Sequence, residues 1–166
     1  MILEGEKLWV AAWEAELPPG TFAGQLWPAL SQGAEMRLAV PGKISLEHGW
    51  EFRAELVTDH QIRSERVWGN EDPYMACLDA ASVEIPLLIR SRQPGERIKP
   101  LGMGGHSIKI SDLMINAHLP VRARRAWPLV VSGHEIAWVP GLRLAHPFRV
   151  TNETQVGIRL VLSRQD

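Results

Sequence analysis

The chain predicts a β-rich domain of short antiparallel strands with a few short helices. Three observations carry that reading. Twelve prolines and fourteen glycines punctuate 166 residues, at intervals that favour many short strands over long helices. From Glu35 to Val57 polar and apolar residues alternate with period two, the pattern of half-buried strands. The first convincing helix signal comes only at Ser111.

Taken in order, Lys7 to Trp13 reads as a strand rich in large apolar residues, stopped by Pro18-Pro19-Gly20. Glu35–Val40, Lys43–Glu47 and Trp50–Val57 follow, with turns at Pro41-Gly42 and His48-Gly49. They predict a three-strand meander whose buried face includes Trp50, Phe52, Ala54 and Leu56. Residues 59–74 are polar and turn-rich. Strands resume at Tyr74–Asp79 and Glu84–Arg90, the second beginning near Pro86, where a missing N–H does least damage. Ser111 predicts an N-cap, with Asp112 in the first turn and Ile110 spaced to staple Ile115. Pro120 stops that helix near Leu119 and opens a second, Val121 to Trp127. Leu129–Val139 reads as a hairpin turning at Ser132-Gly133, and Gln155–Leu162 as the last strand.

With 45% hydrophobic and 22% charged residues the composition is that of an ordinary soluble globular protein. Its single cysteine, Cys77, excludes an internal disulfide framework and a four-cysteine zinc site. No apolar run reaches the ~18 residues of a membrane span, and the N-terminus has no signal-peptide profile, so a cytoplasmic location is expected. The net charge of −1 conceals a polarity. Residues 1–89 hold six Lys/Arg against fourteen Asp/Glu, a net of −8; residues 90–166 hold twelve against five, a net of +7. Either an anionic partner, most commonly nucleic acid, answers the basic half, or the two halves pair with each other.

Nucleotide and catalytic signatures fail. Pro100-Leu101-Gly102-Met103-Gly104-Gly105-His106-Ser107 is glycine-rich, but Gly-Lys-Ser/Thr occurs nowhere and position 107 is serine where a dinucleotide loop needs glycine. That loop fits a phosphate contact or a plain turn. The six histidines show no pair at helical metal spacing, and there is no Gly-x-Ser-x-Gly elbow. Trp9, Trp50 and Trp138 read as core, while Trp68 and Trp127 are candidates for stacking on bases. The positive signal is in the cations. Arg90, Arg92, Arg97 and Lys99 bracket a Pro94-Gly95 turn, where extended residues two apart fan to the same side. Arg122 and Arg125 share a face of a short helix, with Arg124 rotated away. Guanidinium groups on a rigid helix suit bidentate phosphate contact.

These residues also carry a resemblance. Arg92-Gln93-Pro94-Gly95-Glu96-Arg97 with Pro100–Gly105, Lys109, Ser111-Asp112-Leu113, Leu119-Pro120 and Arg122/Arg125 resembles the C-terminal region of bacterial tRNA(Ile)-lysidine synthetases. Trp127–Val130 and Ile136–Arg143 continue the match, which is specific over about residues 75–151 and weaker upstream to near residue 35. Two departures stand out: Glu96 replaces the aspartate of a usual Pro-Gly-Asp-Arg, and Ile108-Lys109 stands where Lys-Lys is frequent.

The resemblance implies a β-rich α+β module similar to one in the phenylalanyl-tRNA synthetase β-subunit, engaging tRNA mainly toward the acceptor stem. It divides the chain into an acidic β-rich part, 1–86, and a basic C-terminal domain, 87–166. The family enzyme activates C34 of an isoleucine tRNA with a CAU anticodon, using ATP with Mg, and lysine then displaces AMP. Its Ser-Gly-Gly-x-Asp-Ser loop is absent from these 166 residues, so the chain is expected to be inactive alone, without cofactor or metal, and to work with a separate catalytic domain. Arg92, Arg97, Lys99, Lys109, Arg122, Arg125 and Arg143 are the expected contacts to tRNA backbone. The alternatives are an interdomain or protein-interaction scaffold, and a small enzyme using the glycine-rich loop for a phosphorylated ligand.

Overall fold

The computed structural model describes residues 2–4, 7–9, 27–64 and 72–165. A short hairpin pairs β1 (Ile2–Glu4) with β2 (Lys7–Trp9). The rest of the predicted first strand, and Trp68, lie outside the described residues. Then come β3 (Glu35–Leu38), β4 (Gly42–Ser45), β5 (Trp50–Thr58), α1 (Asp59–Ser64), β6 (Met75–Asp79), β7 (Leu87–Arg90), β8 (Arg97–Ile98) and β9 (Ile108–Lys109). The C-terminal part runs α2 (Ile110–Asn116), α3 (Val121–Ala126), β10 (Leu129–Ser132), β11 (Glu135–Val139), β12 (Arg143–Leu144) and β13 (Val156–Arg164). The α+β, strand-dominated class predicted from the sequence is the class observed.

Two larger sheets form, in the orders β12-β11-β10-β7-β3 and β4-β5-β13-β6, with β8-β9 as a separate pair. The meander is therefore not one sheet. β3 pairs antiparallel with β7, setting Leu38 against Leu87, while β4 and β5 pair in the other sheet. Alternation marks which residues are half-buried; it does not say which strand lies alongside.

Both sheets feed one core. Leu38, Leu87, Ile89 and Val130 from the first meet Phe52, Leu78, Ile158 and Leu160 from the second. The Phe52 and Trp138 rings contact edge-to-face at 6.2 Å between centroids, the arrangement favoured by the ring quadrupole. Strand β13 lies between β5 and β6, and β3 beside β7, so residues on either side of position 86/87 share sheets and core.

The local predictions need three corrections. Residues 59–64 form α1 rather than an irregular turn; its Ile62 is buried with Val57 and Cys77 on the second sheet's outer face. Six residues whose one apolar side chain is that of Ile62 leave no periodicity to read. Leu56 is half exposed while Val57 is buried, because α1 covers the outer face where the inner core has ended. Helix α2 starts at Ile110, with Lys109 as its N-cap and no side-chain cap. The Ile110 N–H donates to the Glu96 carbonyl at 2.9 Å, so a tertiary partner supplies what Ser111 was expected to give. Ile115 is half exposed, and no staple with buried Ile110 forms.

Candidate nucleic-acid interface

The turn at Pro94-Gly95 is built around one carboxylate. Glu96 accepts from the Gln93 N–H at 2.6 Å and from two nitrogens of Arg90 at 2.5 and 3.1 Å. Burial raises the Glu96 pKa, but the Arg90 hydrogen bond and charge, together with the Gln93 N–H, outweigh it and leave it below the usual carboxylate value. Arg90 itself is buried and also donates to the Ser91 carbonyl. The sequence groups it with the cations around this turn; in the structure Glu96 holds it as a buried structural cation.

Beyond this turn the chain enters β8, whose alternation exposes Arg97, buries Ile98 and exposes Lys99. Arg97 faces Lys109 across the β8–β9 ladder. Its Nε and Nη2 donate to the Ser107 hydroxyl and carbonyl, both at 2.9 Å, and so hold the end of the glycine-rich loop. In that loop Gly102, Gly104 and Gly105 all have positive φ, which residues with a Cβ adopt with difficulty. No atom lies within 4 Å of a Cβ built on Gly102 or Gly105. There glycine serves backbone conformation, not close packing, and the whole loop from Gly102 to Ser107 is exposed.

Arg97 and Lys99 open on a pocket of about 400 Å³ closed on its other side by His134 and Glu135 at the β10–β11 hairpin, with Ile98 and Ile136 also lining it. The spacing of Arg97 and Lys99 was legible in the sequence. The opposing wall was not, since it comes from packing β8 against a hairpin more than thirty residues away. The one prior signal was the predicted turn at Ser132-Gly133, which puts His134 at a tip.

The remaining predicted contacts lie elsewhere. On α3, Arg122 stacks its guanidinium 4.8 Å from the Trp27 ring centroid, and Arg125, one turn on, is exposed. Arg124 turns back to donate to the Leu119 carbonyl at 2.8 Å. Nothing in the sequence local to Trp27 marks the contact. Arg92 is half-buried, and among the described residues its Nε has no hydrogen-bond partner. Arg143 is exposed on β12 opposite Val139, at the end of β11 away from Glu135, and donates to the Leu142 carbonyl. Trp127, read as a stacking candidate, is core: it is buried and its indole N–H donates to the Pro140 carbonyl at 2.9 Å.

Of the ion pairs that described residues make with one another, Arg159–Glu55 at 2.8 Å alone joins the acidic and basic halves. Among the described residues no group of three or more His, Cys, Asp or Glu could hold a metal ion, and no helix is long and apolar enough to cross a membrane.

The arrangement is that of an α+β domain with cations displayed on a strand pair, a glycine-rich loop and a short helix. Residues 87–161 match the family model of the TilS substrate C-terminal domain. A tRNA(Ile)-lysidine synthase of Symbiobacterium thermophilum is 31% identical over 156 residues, covering 90% of this chain and 28% of that protein. One from Clostridium perfringens is 40% identical over 112 residues, 68% of this chain and 23% of the relative. The crystal structure of a TilS C-terminal domain superposes with a TM-score of 0.67 at 27% identity, covering 80% of this chain and 98% of that one. This chain carries the C-terminal domain of the tRNA(Ile)-lysidine synthase family, and it spans about a quarter of the length of these relatives.

Proposed function

We propose that this chain is the tRNA-binding, non-catalytic part of a tRNA(Ile)-lysidine synthase. The observation that carries the reading is the group of exposed cations, Arg97, Lys99 and Lys109, beside an open glycine-rich loop in the matched domain. Among the described residues none of the three is taken up in an ion pair. A-form RNA hides its major-groove edges, so contacts of this kind read phosphates, 2′-hydroxyls and shape. Arg122, Arg125 and Arg143 add further backbone contacts, and Arg92 contributes from the turn. The tRNA side engaged is the acceptor stem.

On this reading, C34 activation with ATP and Mg, and the attack of lysine, belong to a separate catalytic domain with which this chain cooperates in the cytoplasm. Incubated alone with ATP, lysine and isoleucine tRNA, the chain forms no lysidine; formation of lysidine overturns the non-catalytic assignment. Gel-shift titration tests the binding itself. Isoleucine tRNA with a CAU anticodon is retarded at low salt, and an equal shift with an unrelated tRNA assigns identity reading to another part of the enzyme. No shift with either tRNA favours an interdomain scaffold.

A further inference from the structure

We infer that the pocket between β8 and the β10–β11 hairpin holds a single unpaired nucleotide of the bound RNA. The inference rests on the RNA-binding reading and adds a subsite to it. Duplex phosphates are met by cations on an open surface; this feature is concave, and its volume of about 400 Å³ suits one nucleotide-sized group. Its chemistry is mixed in a way that a simple anion does not require. Arg97 spends its Nε–H and one Nη2–H on Ser107, which leaves three guanidinium N–H groups in a fixed fork. Lys99, two residues along, and His134 across the opening supply further donors. Arg97 and Lys99 form the phosphate wall, and His134 faces them from the hairpin.

The opposite requirement comes from Glu135, an exposed carboxylate in the same pocket. An anion-only site would be weakened by it, whereas a nucleoside offers hydroxyl or amine donors for it to accept. Glu96 also lines the pocket, but its carboxylate is held by Arg90 and the Gln93 N–H. Ile98 and Ile136, both buried, form the apolar backing behind these polar groups. Bases splayed from single strands and ends are the RNA elements that enter such pockets.

The test uses the intact 166-residue chain, labelled with ¹⁵N. It is titrated separately with inorganic phosphate, adenosine 5′-monophosphate, a single-stranded hexanucleotide and a blunt RNA duplex, at matched ionic strength. The hexanucleotide shifts the amides of residues 97–99, 107 and 134–136, and binds at least about tenfold more tightly than the mononucleotide because flanking phosphates add contacts. Lys99→Ala weakens phosphate and mononucleotide alike. Glu135→Gln weakens the mononucleotide about tenfold, as loss of one charged hydrogen bond requires, while inorganic phosphate binds as well or better because a nearby negative charge is gone.

Phosphate reproducing the whole shift pattern, with no weakening of the mononucleotide by Glu135→Gln, reduces the pocket to an anion site. Tighter binding of the mononucleotide than of the hexanucleotide assigns it to a free nucleotide. Duplex binding with these amides silent under all single-stranded probes removes the subsite but leaves the RNA-binding reading standing. No binding of any RNA removes both.

Discussion

Arg90 and Glu96 close the Pro94-Gly95 turn through two nitrogen–oxygen contacts of 2.5 and 3.1 Å, both side chains largely withdrawn from water. The pair sits directly before Arg97, so the turn aims β8 and the cations on it. Removing the carboxylate leaves a buried guanidinium without its partner. Glu96→Gln is expected to lower stability by about 2 kcal/mol, read by urea denaturation.

The pH dependence has a definite sign. The folded-state pKa of Glu96 lies below its ordinary value of 4.5. The contribution of the pair is therefore complete above that value and is lost as pH falls through the lower folded-state pKa. The wild-type protein should lose more stability than Glu96→Gln on acidification below pH 4.5; parallel losses contradict the assignment.

Gly157 on β13 packs against Ile62 of α1 with no room for a side chain. A Cβ there would stand 2.9 Å from the Cys77 sulfur and 3.0 Å from methyl groups of Ile62 and Val57. Gly157→Ala is expected to cost about 1–3 kcal/mol by overpacking. Cys77→Ala removes the nearest of the three neighbours, so the double variant should lose less than the sum of the singles in a denaturation cycle.

Trp127 separates stacking from packing. Trp127→Phe leaves the buried Pro140 carbonyl without its donor and should cost about 1–3 kcal/mol of stability. With the fold retained below its melting temperature, RNA affinity measured by fluorescence anisotropy stays at the wild-type value. A selective loss of affinity would restore Trp127 as a base-stacking residue.

What the sequence could say followed from what is local. Alternation over 50–54 marked Phe52 and Ala54 as core because period-two burial is written into one strand. It could not place β3 beside β7 or β13 between β5 and β6, because those pairings join residues far apart in the chain. The N-terminus of α2 departs from the cap predicted at Ser111 for the same reason, since its first N–H is satisfied by Glu96 across a fourteen-residue separation. At the site, the two-residue spacing of Arg97 and Lys99 was legible. Arg90 could not be told apart from them, because its burial depends on Glu96 and the surrounding sheet. His134 and Glu135 became site residues only through the packing of β8 on β11.

The central claim is that exposed cations of this domain hold RNA backbone, and the salt dependence of binding tests it most directly. The chain and its Lys99→Ala/Lys109→Ala/Arg125→Ala variant would be titrated against isoleucine tRNA with a CAU anticodon over a range of salt concentrations. The account predicts affinity of about micromolar or tighter at low salt, falling steeply as salt rises, with the variant's log–log slope shallower by roughly three units. Absence of binding at low salt, or a variant with wild-type affinity and slope, would contradict it.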